Sequence, residues 1–493
     1  MSAPEPSTTE TAVTHEGIYM TDLRWTKVLA LTIVGALVVG CSDSGGSDDN
    51  VDTGDQATRV QDTREFAVQE ETLAFEAIDG VETDRWTGVM DNGAGYRVEV
   101  PAEGNWNGML VMYAHGYRGE GSELTVSSPA LRSYYISRGY AWAASSYSTN
   151  YYDVRTGVED TNALANAFVD IAAQNGRTLM APSKIYITGD SMGGHVTAAA
   201  IEAETQATAA NKVTYAGAVP RCGVVGGTYE FDYLLNFTFA AQHVADMGPT
   251  SYPATDFDQA AIDDVLWTTT PSFAAQGVPT EAGLQLENIV RTLSGGDRPT
   301  FEQGFRGGYY NVVMGTGGRD GTVNGILLRN LSGNEGVNYN LDGDPDNSTP
   351  EETAFNESMF RVMADPAANP LRNDGVRWIP QVNGEFSVPV VSLHNLGDLY
   401  VPFVHEQIYR ERAEANGSDA WLVQRAIRSS PHCSFEAAEL ISAFDAMIAW
   451  EQNGTKPEGD DVTTASVVAD ENYGCQFTTA TRTGVPACPA TVQ

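Results

Sequence analysis

Five residues, Gly189-Asp190-Ser191-Met192-Gly193, constrain this chain more than any other segment. Before them runs Lys184-Ile185-Tyr186-Ile187-Thr188, short, β-branched and aromatic, as a buried parallel strand should be. After them Gly194-His195-Val196-Thr197-Ala198-Ala199-Ala200-Ile201-Glu202-Ala203 reads as a helix. A strand that turns into a helix across a single residue strains that residue, and glycines two positions to either side, Gly189 and Gly193, relieve the crowding. The apex is a serine, whose oxygen then stands clear above the edge of a sheet.

The surroundings repeat the strand-helix rhythm. Tyr96–Pro101 and Gly108–Tyr117 read as strands, Leu124–Arg138 as a helix, Tyr140–Ser148 as a strand, Glu159–Gln174 as a helix and Thr214–Cys222 as a strand. This alternation predicts a mostly parallel sheet with helices on both faces. The rhythm stops after Cys222 and resumes with strand Val388–His394, helix Val404–Ala415, strand Trp421–Ile427 and helix Phe435–Gln452. The stretch between is too long for a connection and is expected to be an inserted structure, a lid over the carboxyl ends of the strands. Helices are expected there at 229–246, 257–267, 280–294 and 353–364. The division that follows is a core of 65–223 and 386–453, a lid of 224–385 and a tail of 454–493.

The N-terminus reads as a targeting segment over residues 1–41. Val28–Gly40 is a 13-residue apolar run preceded by Arg24 and Lys27, short for a membrane span. It ends in Val38-Val39-Gly40-Cys41, which resembles the lipobox of bacterial lipoproteins, and by that resemblance Cys41 becomes the lipidated first residue. Residues 1–19 hold Glu5, Glu10 and Glu16 with no Lys or Arg, so Met20 is the better start. Residues 42–64, rich in Ser, Gly, Asp and Thr, are expected to form a disordered tether. The expected location is the cell envelope, with the domain outside the cytoplasm. Four cysteines remain, Cys222, Cys433, Cys475 and Cys488, enough for two disulfides in an exported chain. Their layout favours Cys475–Cys488 within the tail and Cys222–Cys433 between a strand end and the loop after the last core strand.

The formal net charge is −37 over 493 residues, and lysine occurs only at 27, 184, 212 and 456. Such a surface repels nucleic acid and anionic lipid, which leaves a lipid anchor as the expected contact with a membrane. Salt adaptation is the reading we favour for it, because screening relieves the self-repulsion.

A serine hydroxyl needs a base, and the base an orienting carboxylate. His432, directly after the last core strand in Ser429-Ser430-Pro431-His432-Cys433, is the expected base. His405 reads as a structural or surface residue, and His195 and His394 as packed core residues. Asp398, after strand 388–394 in Asn395-Leu396-Gly397-Asp398, is the expected carboxylate, whereas Asp190 points away from the base. The oxyanion donors are expected to be the N–H groups of Met192, at the helix start, and Tyr117, in His115-Gly116-Tyr117-Arg118-Gly119, with His115 bracing that loop.

The order Ser191, Asp398, His432, the HGYRG loop, the GDSMGG elbow and the strand rhythm together resemble the α/β-hydrolase superfamily over residues 96–223 and 386–453. The resemblance implies two-step acyl transfer to water through an acyl-enzyme on Ser191, with a small-molecule or oligomeric carboxylic ester as substrate and neither metal nor organic cofactor. His432-Cys433 is also similar to tannase and feruloyl-esterase-like enzymes, in which a cysteine next to histidine pairs with one before the serine; here position 190 is aspartate and that pairing cannot form. The rival readings are a serine exopeptidase of the prolyl-oligopeptidase-like kind and a non-catalytic surface binding protein on the same scaffold. Two weaker signals stand apart. Asp342-Gly343-Asp344-Pro345-Asp346-Asn347 has calcium-loop spacing but lacks the later glycine and glutamate, so it reads as a solvated acidic loop. Tyr151, Tyr152, Phe231, Tyr233, Phe237 and Phe239 read as lid core before acyl pocket.

Overall fold

The computed structural model describes residues 63–316, 326–327 and 329–489. They belong to one compact unit, Thr53–Gln493. The unit Met1–Asp52 lies outside the described residues, and with it the expected signal segment, Cys41 and most of the tether. Arg64, expected at the end of the tether, instead belongs to the domain, its guanidinium 5.0 Å from the centre of the Tyr151 ring.

Eight strands form the central sheet: β1 Thr83–Val89, β2 Gly95–Pro101, β3 Met109–Ala114, β4 Ala141–Ser145, β5 Lys184–Asp190, β6 Gly217–Arg221, β7 Val390–Asn395 and β8 Leu422–Ile427. Their order across the sheet is β8-β7-β6-β5-β3-β4-β2-β1. Strand β2 runs antiparallel to both its neighbours, and every other pairing is parallel. Strands β4, β6, β7 and β8 are buried at every residue, as expected where helices cover both faces. Edge strand β1, which the strand rhythm does not reveal, buries only Trp86 and turns charged neighbours outward.

The helices of the core are α1 Arg132–Ser137, α2 Val154–Gln174, α3 Met192–Ala200 and α4 Ala203–Thr208, and after the insertion α11 Val404–Asn416, α12 Ala437–Asn453 and α13 Ala465–Val468. The helix expected over Leu124–Arg138 is mostly absent. Glu123–Leu124 pairs instead with Ala67–Val68, and α1 begins only at Arg132. Pro129 is the physical reason: it disfavours helical backbone at the residue before it, and the Pro129 carbonyl accepts from Arg132 N–H at 2.9 Å as the helix starts. Conversely α2 starts five residues earlier than expected, capped by the Asp153 side chain on Thr156 N–H. Strands β3, β4 and β6 are shorter than the apolar runs suggest, because Gly116–Tyr117 leave the ladder and because Tyr147 and Cys222 take positive φ of 58° and 42°.

Between β6 and β7 the described residues form helices α5 Tyr229–Val244, α6 Gln259–Leu266, α7 Glu281–Leu293, α8 Phe301–Phe305, α9 Tyr309–Met314 and α10 Pro350–Ser358. They pack around an apolar cluster of their own that includes Phe237, Phe239, Trp267, Phe305 and Tyr310. The helix expected at 353–364 lies earlier, because Thr349 and Glu352 close a capping box with Pro350 at the first position, and the chain is extended again at Met359. The tail covers the outer edge of β8: Asp460 accepts from Ala426 N–H at 2.7 Å and Thr478 from Arg428 N–H at 2.9 Å. An open strand edge is thereby closed to other chains.

Candidate active site

In-register pairing brings the carboxyl ends of four strands together. Ala114 of β3 lies opposite Gly189 of β5, Asp190 opposite Arg221 of β6, and Arg221 opposite Leu393 of β7. The loops bearing His115, Ser191, Cys222 and Asp398 therefore leave the sheet along one edge.

Ser191 joins β5 to α3 with φ 59° and ψ −124°, a conformation side chains rarely adopt. The two glycines show why it is tolerated. A Cβ on Gly189 would lie 2.2 Å from the Gly193 carbonyl oxygen, and one on Gly193 only 2.1 Å from that of Ala114. The turn closes because neither exists. Ser191 N–H donates to the Arg221 carbonyl at 3.0 Å, and the Ser191 carbonyl accepts from Gly194 and His195. On the other side of the serine, a Cβ placed on Gly116 would lie 3.2 Å from Ser191 Cβ and 3.7 Å from its Oγ. The Gly116–Tyr117 backbone thus runs beside the hydroxyl. Met192 opens α3, where N–H groups have no carbonyl of the helix to bind. Among the described residues neither Met192 N–H nor Tyr117 N–H has a backbone partner. The sheet order, the single antiparallel inner strand and this turn decide the architecture. The chain has the α/β-hydrolase fold.

Asp398 and His432 come together. Asp398 is fully buried, its Oδ1 accepts from the N–H groups of Tyr400 and Val401 at 3.0 and 3.1 Å, and its Oδ2 lies 2.5 Å from His432 Nδ1. With Asp398 ionised, Nδ1 carries the proton and Nε2 is the basic nitrogen. His432 and Ser191 share no hydrogen bond in this structure; Nε2 faces Cys433 Sγ at 3.3 Å. Such a link commonly tightens only once substrate is bound. Disulfide Cys222–Cys433 places the histidine loop against the elbow, since a Cβ on Gly194 of α3 would lie 2.6 Å from Gly223 Cα. The second disulfide, Cys475–Cys488, closes the tail loop. Both pairings match the expectation from layout.

Four further histidines among the described residues are buried and engaged in packing. His115 is buried and stacks on Tyr147 at 4.0 Å, with its ring nitrogens 2.7 Å and 3.0 Å from the carbonyls of Gly116 and Ser146; burial and nearby Arg118 hold its pKa down to about 4, so the neutral ring donates to one of the two carbonyls. His195 bonds Tyr152 Oη and the Pro380 carbonyl, and His394 bonds Glu406 and the Val401 carbonyl. His405 is buried rather than at the surface: its Nδ1 accepts from Gly226 N–H, which makes Nε2 the donor to Glu230 at 2.8 Å. Asp190 turns away from His432, accepting from Tyr113 Oη at 3.0 Å and Arg221 Nη2 at 2.8 Å.

The six aromatic residues considered for an acyl pocket are all buried in the core or the insertion. Other rings surround the base. Tyr309 of α9 and Tyr400 of the acid loop meet His432 edge-on at 5.8 and 5.5 Å and stack on each other at 6.2 Å. Tyr400, two residues past Asp398, was findable by position; Tyr309, on a short helix in the insertion, had no local signal. Behind Tyr309 and Pro431 opens a cleft of about 560 Å³ walled by the 272–277 loop, α8 and the tail. Exposed Phe273 stands at its rim.

Among the described residues, the one cluster of His, Cys, Asp or Glu close enough to hold an ion is Cys222, His432 and Cys433. Both sulfurs are tied in the disulfide, so no thiolate is on offer there. In the acidic loop the carboxylates bond their own turn: Asp342 accepts from Asp344 N–H, and Asp344 from Asp346 N–H and Asn347.

No protein-family model matches the chain. Over 189 residues, 34% of this chain, it is 23% identical to o-phthalyl amidase of Xanthobacter agilis; the match spans 42% of that protein, less than half its length. Among solved structures, it is similar to feruloyl esterase B of Aspergillus oryzae (TM-score 0.40, 15% identity, 76% of this chain and 80% of that one). It is also similar to the acylaminoacyl peptidase of Pyrococcus horikoshii (TM-score 0.35, 11% identity, 78% and 44%). A third is the rice cell wall degrading esterase LipA of Xanthomonas oryzae (TM-score 0.32, 15% identity, 75% and 86%). Structural likenesses at TM-scores of 0.32 to 0.40 carry no argument about chemistry.

Proposed function

We propose that the chain is a serine hydrolase that cleaves carboxylic esters through an acyl-enzyme on Ser191. The observation that carries this reading is a strained, elbow-held serine on the same sheet edge as a buried Asp398–His432 pair at 2.5 Å. His432 Nε2 takes the Ser191 proton as Oγ attacks the ester carbonyl. The Met192 and Tyr117 N–H groups receive the oxyanion, at the positive end of α3. His432 then protonates the departing alcohol, and a water activated by the same nitrogen releases the acid. Asp398 holds the imidazole in the required tautomer and stabilises its cation.

The test is a panel of short, long and aromatic esters beside an aminoacyl anilide and an aryl amide, with Ser191→Ala as control. We expect ester cleavage to fall to background in Ser191→Ala, and a fluorophosphonate to label the native chain alone. Anilide turnover above ester turnover would replace the esterase reading with the exopeptidase one. The aryl amide is included because the partial likeness to o-phthalyl amidase favours an amide as the second substrate class. Failure of Ser191 to label would revive the non-catalytic binding protein.

Two disulfides support a location in an oxidising compartment outside the cytoplasm. No helix among the described residues is long and apolar enough to cross a membrane. Anchoring through Cys41 is part of the proposal, and loss of lipid incorporation in Cys41→Ala checks it.

A further inference from the structure

Beneath the elbow lies a cluster that the chemistry above does not use. Asp190, the residue before Ser191, ends β5, and Arg221 ends β6 directly opposite it. Arg221 Nη2 donates to Asp190 Oδ2 at 2.8 Å, and Tyr113 Oη, from the end of β3, donates to the same oxygen at 3.0 Å. The Arg221 guanidinium is buried, with its side chain 1% exposed, and lies 5.9 Å from the centre of the Tyr113 ring. Its Nε has no hydrogen-bond partner.

This arrangement reaches both halves of the reacting pair through the backbone. The Arg221 carbonyl receives Ser191 N–H at 3.0 Å, restraining a serine whose φ is 59°. The residue after Arg221 is Cys222, whose disulfide partner Cys433 adjoins His432. Asp190 therefore holds the residue that bonds the serine's N–H, and the same residue precedes the disulfide bearing the base loop. A burial-driven core would place an apolar side chain where Arg221 sits, because desolvating a guanidinium is costly even when a partly exposed carboxylate pairs with it.

We propose that Asp190 and Arg221 are positioning residues, whose ion pair fixes the separation between Ser191 and the His432 loop. The pair touches neither substrate nor reacting atoms, and acts through the Arg221 carbonyl and Cys222. A shift of about 1 Å in such a separation lowers a rate about a hundredfold. The inference rests on the serine-hydrolase reading.

The experiment compares Asp190→Asn, Arg221→Met and the double variant Asp190→Leu/Arg221→Met in the full chain, reading melting temperature, kcat, KM and the rate of fluorophosphonate labelling. Asp190→Asn leaves a buried guanidinium without its carboxylate and Arg221→Met leaves a partly exposed carboxylate without its cation, and we expect lower melting, most of all in Asp190→Asn, and a loss in kcat of about tenfold to a hundredfold at nearly constant KM. The double variant regains most of the lost melting temperature, since no buried charge remains, while kcat and the labelling rate stay low. Recovery of kcat together with melting temperature would reduce the pair to a structural role and overturn the proposal, as would a kcat within twofold of the native value in both single variants. Lys at 221 supplies a conservative check, because partial return of kcat in Arg221→Lys relative to Arg221→Met ties the effect to the bond with Asp190. Absence of Ser191 labelling in the native chain would instead overturn the hydrolase reading, whatever the variants do.

Discussion

Three non-glycine residues at the site share one backbone peculiarity. Ser191, Cys222 and Cys433 have positive φ of 59°, 42° and 55°. Residues in such conformations persist only where their surroundings over-determine them. For Ser191 the surroundings are the two glycines, so Gly193→Ala, whose methyl would sit 2.1 Å from the Ala114 carbonyl, is expected to cost at least about 3 kcal/mol and to abolish labelling in what folds; a denaturant titration with fluorophosphonate readout checks both. For the cysteines the restraint is their bond to each other, across a sequence separation of 211. The chain-entropy model assigns about 5 kcal/mol to closing so long a loop. We expect Cys222→Ser, Cys433→Ser and the double variant to lose equal amounts of kcat, because each releases the same loop, with KM little changed. Unequal kcat losses in steady-state kinetics would mean that one sulfur acts on His432 alone. Ser191, Asp398 and His432 were legible as residues in a pattern. The left-handed backbone of the two cysteines was not, since no residue pattern around either one marks it.

At the scale of elements, the insertion is bonded to the loops it covers. Arg298 Nε donates to the Leu396 carbonyl at 2.6 Å, Tyr233 Oη to that of Leu399 at 2.7 Å, and Tyr309 meets the His432 ring. Helix α8 comes closest: a Cβ on Gly304 would stand 1.8 Å from the Gly397 carbonyl oxygen, one residue before Asp398. Gly304→Ala is therefore expected to push the acid loop and lower kcat by about tenfold or more, although residue 304 lies far from the serine in sequence; steady-state kinetics on a circular-dichroism-verified fold checks it. Strongly patterned elements were read well. Helices expected at 229–246, 257–267 and 280–294 lie at Tyr229–Val244, Gln259–Leu266 and Glu281–Leu293. Misreadings fell where a local signal was passed over, Pro129 before α1 and the Thr349–Glu352 box at α10, or where helices of five and six residues, α8 and α9, exist only by packing.

The whole molecule combines an acidic surface with carboxyls that are wholly or partly buried. Burial raises Glu202 to about 7, against the backbone N–H groups that bond it, and raises Asp160, Asp232 and Asp460 to about 6. Unfolded, these groups titrate near 4. Between those values the folded state binds more protons than the unfolded one, so stability is fully present below about pH 4 and is lost as pH rises through about 6 and 7. Release of surface self-repulsion on acidification acts in the same direction, and salt separates the two, because about 1 M salt screens exposed charges to roughly 3 Å and leaves buried ones nearly untouched. We expect the melting temperature to be higher at pH 5.5 than at pH 8, and the difference to persist in part at high salt. Glu202→Gln should flatten that remaining slope, and an unchanged slope in calorimetry would show that other groups carry it. We also propose salt adaptation, for which a net charge of −37 is the support: melting temperature at pH 8 should climb from low to molar salt.

The sequence alone determined the rhythm of strands and helices, the elbow and the order of Ser191, Asp398 and His432, because each is written in neighbouring residues through periodicity, glycine sterics and turn chemistry. Layout favoured the two disulfide pairings among three possible connectivities, and the folded chain decided them. Tertiary structure alone decided what stands around the base. Tyr309 and the Gly304–Gly397 contact are brought to the site by segments far apart in the chain, and the Asp190–Arg221 pair by the register of β5 on β6. Contacts between distant residues depend on how close-packed elements cross and align, and no local pattern of residue types encodes that geometry.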